Sequence, residues 1–199
     1  MREAAGSTDM KLFDGAACNA AVKKIASGDM TALSVLYEKT GRQVYSLAYS
    51  ILGREGEADE VMQETFIKIM DCANTYDEKR GNARSWVLAI GRNVAMNRLK
   101  RRRLSDYDEL SESVGARDDF AGVENSDEVS RLLALLNSSE RQIVVLRAVE
   151  RLKFNDIGGI VGQSGDAVRM KYARALEKLR GYYGKGESHE STQKNKKEI

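Results

Sequence analysis

Apolar residues return every three to four positions along most of this chain, and they do so in blocks. Between Ala32 and Leu52, Leu33, Leu36 and Tyr37 recur at helical spacing, and Val44, Leu47, Ala48 and Ile51 do the same before a stop at Gly53. A second helix is predicted from about Glu57 to Met70, with Val61, Thr65 and Ile69 down one stripe and Met62 and Phe66 beside it. A third occupies RSWVLAIGRNVAMNRLKRRR (84–103), where Val87, Ile90 and Val94 make an inward face and Trp86, the single tryptophan, lies beside them. Further along, Ser139 with Gln142 has the signature of a capping box for a helix running through Val149. A short helix from about Phe154 to Val161 and a turn at Gly162–Gln163 follow. Ser164 is placed to cap a last helix, in which Val168, Tyr172, Ala175, Leu176 and Leu179 gather on one side. There is no alternating strand pattern and no Asn-Gly hairpin signal, and proline is absent, which favours long helices with short polar connectors. The expected fold class is all-α.

Charge divides what periodicity leaves continuous. The net charge of +2 conceals two basic blocks around an acidic one. Residues 1–104 carry 17 Lys/Arg against 13 Asp/Glu, residues 105–130 one Arg against nine acids, and residues 131–199 fourteen against eight. The acidic block has few large apolar residues and no clear period, so it reads as a flexible linker between two small helical domains. The resulting division is an N-terminal extension (1–19), a first domain (20–104), an acidic linker (105–130), a second domain (131–183) and a disordered polar tail (184–199). No apolar run approaches the roughly 18 residues of a membrane span. The N-terminus lacks the apolar core of a secretory signal, so no membrane insertion and a cytoplasmic location are expected. Cys18 and Cys72 have no ligand spacing and read as reduced packing residues.

Two stretches carry candidate chemistry. On the helix over 84–103, Asn93, Asn97 and Arg101 stack at i, i+4 and i+8, and Arg92, Arg98, Lys100, Arg102 and Arg103 crowd the C-terminal half. Cations suit a helix C-terminus, but five in the six residues 98–103 exceed what the dipole needs. Arginine matches phosphate and asparagine can bond a base edge, so the face reads as a nucleic-acid surface. In the second domain, two short helices joined by a tight Gly-containing turn form a helix-turn-helix, whose second helix reads the major groove from its N-terminal part. That part offers Ser164, Gly165, Asp166, Arg169, Met170, Lys171 and Arg174.

These segments together resemble an extracytoplasmic-function (ECF) sigma factor, the minimal form of the sigma-70 family, over roughly residues 20–183. DEVMQETFIKI (59–69) is similar to the helix of region 2.2, and ARSWVLAIGRNVAMNRLKRRR (83–103) to regions 2.3 and 2.4. SSERQIVVLRAVERLKFNDIGGIVG resembles region 4.1 and the first helix of the motif, and QSGDAVRMKYARALEKLR resembles region 4.2. The resemblance implies a bacterial, cytoplasmic, alternative-type sigma factor that binds core RNA polymerase through its β and β′ subunits and helps open promoter DNA. Glu60, Gln63, Glu64 and Phe66 would dock on polymerase. Asn82, Arg84, Trp86, Arg92, Asn93, Asn97, Arg98, Lys100 and Arg101 would hold the minus-ten element, the loop 77–84 receiving an extruded base. The helix-turn-helix would read duplex DNA at the minus-thirty-five element. Many relatives are held by an anti-sigma factor, which makes one a candidate third partner. The resemblance implies no cofactor and no metal.

The chain departs from the family in places. Ser138–Ser139 and Gln163–Ser164 stand where prolines are usual, and Gly158 and Gly159 where alanine is. Each interior helical glycine costs roughly 0.5–1 kcal/mol against alanine, unless the backbone approaches a neighbour closely there. A homodimeric helix-turn-helix regulator is the alternative class. It accounts for residues 131–183 but not for the acidic–QE–aromatic helix or the second basic site, and it would bind duplex DNA without polymerase. An enzyme is disfavoured, because the sole histidine, His189, lies in the tail and no metal cluster, phosphate-cradling loop or nucleophile–base pair is present.

Overall fold

In the computed structural model the described residues are 15–109 and 128–194. They form eight α-helices and, among them, no strand: α1 (Gly15–Ala26), α2 (Ala32–Leu52), α3 (Glu55–Cys72), α4 (Ala83–Glu109), α5 (Glu128–Ala134), α6 (Ser138–Val144), α7 (Phe154–Val161) and α8 (Gly165–Lys194). A 3₁₀ turn over Ala73–Thr75 follows α3, and a wide π-type turn over Val145–Val149 continues α6. The all-α expectation holds.

Helix ends follow local chemistry. α2 stops at Gly53, whose φ of 70° lies in the left-handed region and whose N–H donates to the Tyr49 carbonyl. Asn82 caps α4 by accepting from the Ser85 N–H at 2.9 Å. The capping box that opens α6 lies two residues earlier than Ser139–Gln142. Asn137 Oδ1 accepts from the Glu140 N–H, and the Glu140 carboxylate accepts from the Asn137 N–H, both at 3.0 Å. A carboxylate at the third helical position outcompetes the hydroxyl–amide pair, because it also meets the N-terminal end of the dipole. Ser164 caps α8 as expected, accepting from the Ala167 N–H.

Three boundaries differ from the sequence reading. α1 straddles the limit set between extension and first domain, since Cys18, Ala21, Val22 and Ile25 pack its inner face into the core. Helix claims both ends of the acidic block: residues 105–109 continue α4 and residues 128–130 open α5. The rest of that block, 110–127, lies outside the described residues. α8 continues through Lys194, past Gly181, Gly184 and Gly186, so no helix end marks the limit set at 183. Both cysteines are free thiols, Cys18 buried and Cys72 half-buried.

α1–α4 pack as a four-helix bundle around Leu36, Val44, Leu47, Ile51, Val61, Ile69, Val87 and Leu88. The second domain does not stand apart from it. Ile143, Leu146, Leu152, Ile157, Ile160 and Val168 belong to the same apolar cluster, with α7 lying against α4 and α6 against α2. Arg141, only 1% exposed, crosses this junction, its guanidinium donating to the carbonyls of Ser50 at 3.2 Å and Leu136 at 3.0 Å.

The two consecutive glycines of α7 are not equivalent. A Cβ on Gly158 would sit 2.5 Å from the Gln163 carbonyl oxygen, whereas one on Gly159 would meet nothing within 4 Å. Gly158 is thus required by the close return of the chain through the turn. Gly158→Ala is expected to cost about 1–3 kcal/mol, as overpacking does. Gly159→Ala should gain about 0.5–1 kcal/mol from helix propensity. Thermal unfolding of the two variants side by side checks the pair.

Candidate nucleic-acid and polymerase interfaces

The outward side of α4 carries Asn93, Asn97, Lys100 and Arg101, all exposed and in one line with the helical repeat. Beneath them Val87, Val94, Ala95 and Leu99 hold the helix to α2 and α3. The same repeat therefore fixes the polar strip on the opposite face. The remaining cations of this helix are not equally free. Arg102 turns back to the bundle, its Nη1 within 2.9 Å of Glu57 Oε2 and its Nη2 near the Leu52 carbonyl. Arg98 pairs with Glu60 of α3, which joins a residue assigned to DNA with one assigned to polymerase.

Arg84 and Arg92 face inward, toward the second domain. Arg84 donates to Gln43 Oε1 at 2.9 Å, to the Glu150 carbonyl at 2.7 Å and to the Glu150 carboxylate at 3.1 Å. Burial pulls the Arg84 guanidinium below its usual pKa and pushes the Glu150 carboxyl above the ordinary carboxylate range, and the ion pair between them opposes both shifts. Arg92 Nε donates to Gln142 Oε1 at 2.8 Å, and burial lowers its pKa too. In this arrangement both guanidinium groups are engaged by residues of the second domain.

Trp86 is half-buried, its ring tilted at 55° against Tyr76 with centroids 5.5 Å apart. The two rings stand in a cleft of about 520 Å³, with Arg80, Asn82 and Ser85 on one wall and Asn155, Asp156 and Gly159 of α7 on the other. The Tyr76 hydroxyl anchors this loop by donating to Asn19 Oδ1 of α1. Ser85 Oγ is buried and, among the described residues, has no hydrogen-bond partner.

On α3, Glu60 and Gln63 are exposed and Glu64 half-exposed, forming the acidic outer face expected from their spacing. Glu64 also pairs with Lys68 at 2.9 Å. Phe66 is corrected. It is buried at 5% exposure with its ring 5.0 Å from that of Tyr37, so it supports the face from the core and is not presented on it.

The helix-turn-helix is α7, the turn at Gly162 (φ 71°), and α8. Val168 and Ala175 are buried, with Tyr172, Leu176 and Leu179 half-buried beside them, while Asp166, Arg169, Met170 and Arg174 are exposed and Lys171 half-exposed. Arg169 lies over the Phe154 ring, 5.5 Å from its centroid, and 3.6 Å from Asp166. A cation held over a ring loses less freedom when it meets a phosphate or a base edge. Ser164 and Gly165 sit at the helix start, Gly165 tight against Asn155. Sequence reasoning missed the roles of Glu150, Gln142 and Arg141 at the junction, where Arg84, Arg92 and the Ser50 carbonyl are remote in the chain and leave no periodic trace.

The fold and its surfaces define an all-helical, two-part protein with an exposed polar and cationic helix face in one half and a helix-turn-helix in the other. Residues 36–104 match the Sigma-70 region 2 family and residues 132–181 the Sigma-70, region 4 family, and the chain belongs to the sigma-70 family, in its extracytoplasmic-function group. It is 23% identical over 174 residues to the ECF RNA polymerase sigma factor SigW of Bacillus subtilis, covering 80% of this chain and 92% of that protein. It is 28% identical over 174 residues to the ECF RNA polymerase sigma factor SigE of Mycolicibacterium smegmatis, covering 82% and 67%. Its fold is similar to that of CnrH, solved in complex with the cytosolic domain of CnrY, at TM-score 0.64 and 23% identity over 84% of this chain and 97% of that one. It is also similar to RpoE, solved in complex with the anti-sigma factor NepR from Bartonella quintana, at TM-score 0.59 and 18% identity over 79% and 96%. As a family member the chain is a specificity subunit of RNA polymerase and not an enzyme. Among the described residues no helix is long and apolar enough to cross a membrane.

Proposed function

We propose that this chain binds core RNA polymerase in the bacterial cytoplasm, directs it to a set of promoters and helps separate the strands at the minus-ten element. The observation that carries the reading is the strip Asn93–Asn97–Lys100–Arg101, an exposed run of amide and cationic groups on a helix whose opposite face is core. Amides and guanidinium groups in that order suit a single strand, where base edges and phosphates are offered together. The acidic face of α3 supplies the polymerase contact through Glu60, Gln63 and Glu64. The exposed start of α8 reads the minus-thirty-five duplex through Arg169, Met170, Lys171 and Arg174. An anti-sigma factor is a further partner on this reading, supported by the similar fold of RpoE in its complex with NepR.

The test is transcription with core polymerase on a randomised promoter library, run with the wild type, Asn97→Ala and Arg101→Ala. Both variants should unfold within about 0.5 kcal/mol of wild type, as exposed substitutions do. Permanganate reactivity of promoter thymines should fall by about fivefold or more, since each loss removes a polar contact worth about 1–3 kcal/mol to the opened strand. Full strand opening by both variants would reduce the arginine run to a solvated helix end.

A further inference from the structure

Two guanidinium groups share one aromatic ring at the entrance to the helix-turn-helix. Phe154, the first residue of α7, has the Arg147 Cζ 4.7 Å and the Arg169 Cζ 5.5 Å from its ring centroid. The ring is itself held against Tyr172 of α8, tilted at 57° with centroids 5.8 Å apart. Arg169 belongs to the exposed start of α8. Arg147 comes from outside the helix-turn-helix, in the π-type turn over Val145–Val149, and is half-exposed.

The backbone is bent where it delivers Arg147. Helix that widens to π geometry is uncommon and gathers at functional sites. Two residues past the turn, Arg151 has a φ of 56°, and among the described residues it is the one non-glycine in the left-handed region. Arg147 closes the bend, its Nη1 donating to the Leu152 carbonyl at 2.9 Å. Closing a loop uses one of the five N–H donors of the side chain. It requires neither a full charge nor an aromatic ring beneath the guanidinium. Asp166 stands 3.6 Å from Arg169, but among the described residues no carboxylate lies within ion-pair distance of Arg147. Like charges gathered on one ring repel each other until an anion joins them. A fork already seated on a ring loses little freedom when that anion arrives, and its geometry suits phosphate.

We propose that Arg147 is a further DNA-contacting residue and that Phe154 positions it: the ring holds Arg147 beside Arg169, and the two guanidinium groups together grip the phosphate backbone at the edge of the groove that α8 reads. The inference rests on the reading of α8 as the helix that enters the minus-thirty-five duplex. Arg147 supplies affinity and register without sequence information, because phosphate contacts position a reader and base contacts give it specificity. Phe154 touches no DNA in this arrangement. It acts through the two arginines, fixing the spacing between a group on the turn after α6 and a group on α8.

The experiment measures promoter binding by holoenzyme across a salt series, on a promoter recovered from the randomised library, with thermal melts of the free chains beside it. The variants are Phe154→Leu, Phe154→Tyr, Arg147→Gln and the double variant Arg147→Gln/Phe154→Leu. Glutamine keeps an N–H donor for the Leu152 carbonyl and removes the charge. Arg147→Gln should weaken binding about fivefold to tenfold and lower the slope of log affinity against log salt by about one. It should recover the same minus-thirty-five sequence from the library as wild type does. Phe154→Leu should weaken binding about threefold or more, and Phe154→Tyr, which keeps the ring face, should bind as wild type. The double variant should lose less than the product of the two single losses, since both act on one contact. An unchanged salt slope in Arg147→Gln overturns the phosphate contact, and so does a changed base preference, which would make Arg147 a base reader. Fully multiplicative losses in the double variant, or no recovery in Phe154→Tyr, overturn the positioning role and reduce Phe154 to packing against Tyr172. Equal binding of wild-type holoenzyme to promoters with an intact and a scrambled minus-thirty-five element overturns the reading of α8 and the grip with it.

Discussion

Affinity for core polymerase falls by more than tenfold in Glu60→Lys/Glu64→Lys, with the helical fold retained. The two carboxylates lie at i and i+4 on the outside of α3, while Ala58, Val61, Thr65 and Ile69 hold its inner side at full burial. Reversal of both charges changes the face by four units without touching that stripe. Within the protein it sacrifices the Glu60–Arg98 and Glu64–Lys68 pairs, which are partly exposed and worth about 0–1 kcal/mol each. At the interface it opposes like charges where unlike charges met, which costs several kcal/mol, and about 1.4 kcal/mol already makes the tenfold change. A titration of labelled core polymerase, beside a thermal melt of the free variant, separates the two effects. Unchanged affinity would remove α3 from the interface. Phe66→Leu serves as the contrast: it trims a ring from the core against Tyr37, so it should lower stability and leave the docking face in place.

The largest loss of stability is expected from Arg141→Leu. The side chain is apolar over its stem and buried to the guanidinium, and that group serves the Ser50 and Leu136 carbonyls from the α2–α6 junction. Leucine fills much of the volume but leaves both acceptors in a dry site. Each unsatisfied acceptor costs about 1–3 kcal/mol, so the total is about 2–6 kcal/mol. Against a typical total stability of about 5–15 kcal/mol, this is a large fraction. At about 2–4 °C per kcal/mol for a chain of this size, Tm should fall by about 10 °C. Calorimetry decides it, and a drop under 2 °C would mean that water enters and satisfies both carbonyls.

These two variants mark where the sequence is readable. The α3 face is local: spacing alone puts Glu60 and Glu64 together, and the structure agrees. Phe66 was expected on the same surface through its place in the motif and is buried in the folded chain, because a helix position next to the inward stripe turns into the core when a partner ring such as Tyr37 is there to meet it. The capping box moved from Ser139 to Asn137 because two overlapping signatures competed, and the carboxylate version won.

What the sequence by itself determined is most of what is governed by contacts within about four residues, the position of the α6 capping box excepted. It carried the all-α class, the helices and their buried stripes, the polar line of Asn93, Asn97 and Arg101, the helix-turn-helix with Ser164 as cap, and the partition of charge. Tertiary structure alone decided which of the basic side chains are free to meet DNA. Arg84 meets Glu150 across 66 residues, Arg92 meets Gln142 across 50, and Arg98 meets Glu60 across 38. A periodic pattern reports which face a residue occupies, but a charge is silenced by whatever partner the folded chain carries to that face, and at such separations only the packing of α3 beside α4, and of α6 and the turn after it against the bundle, says which partner that is.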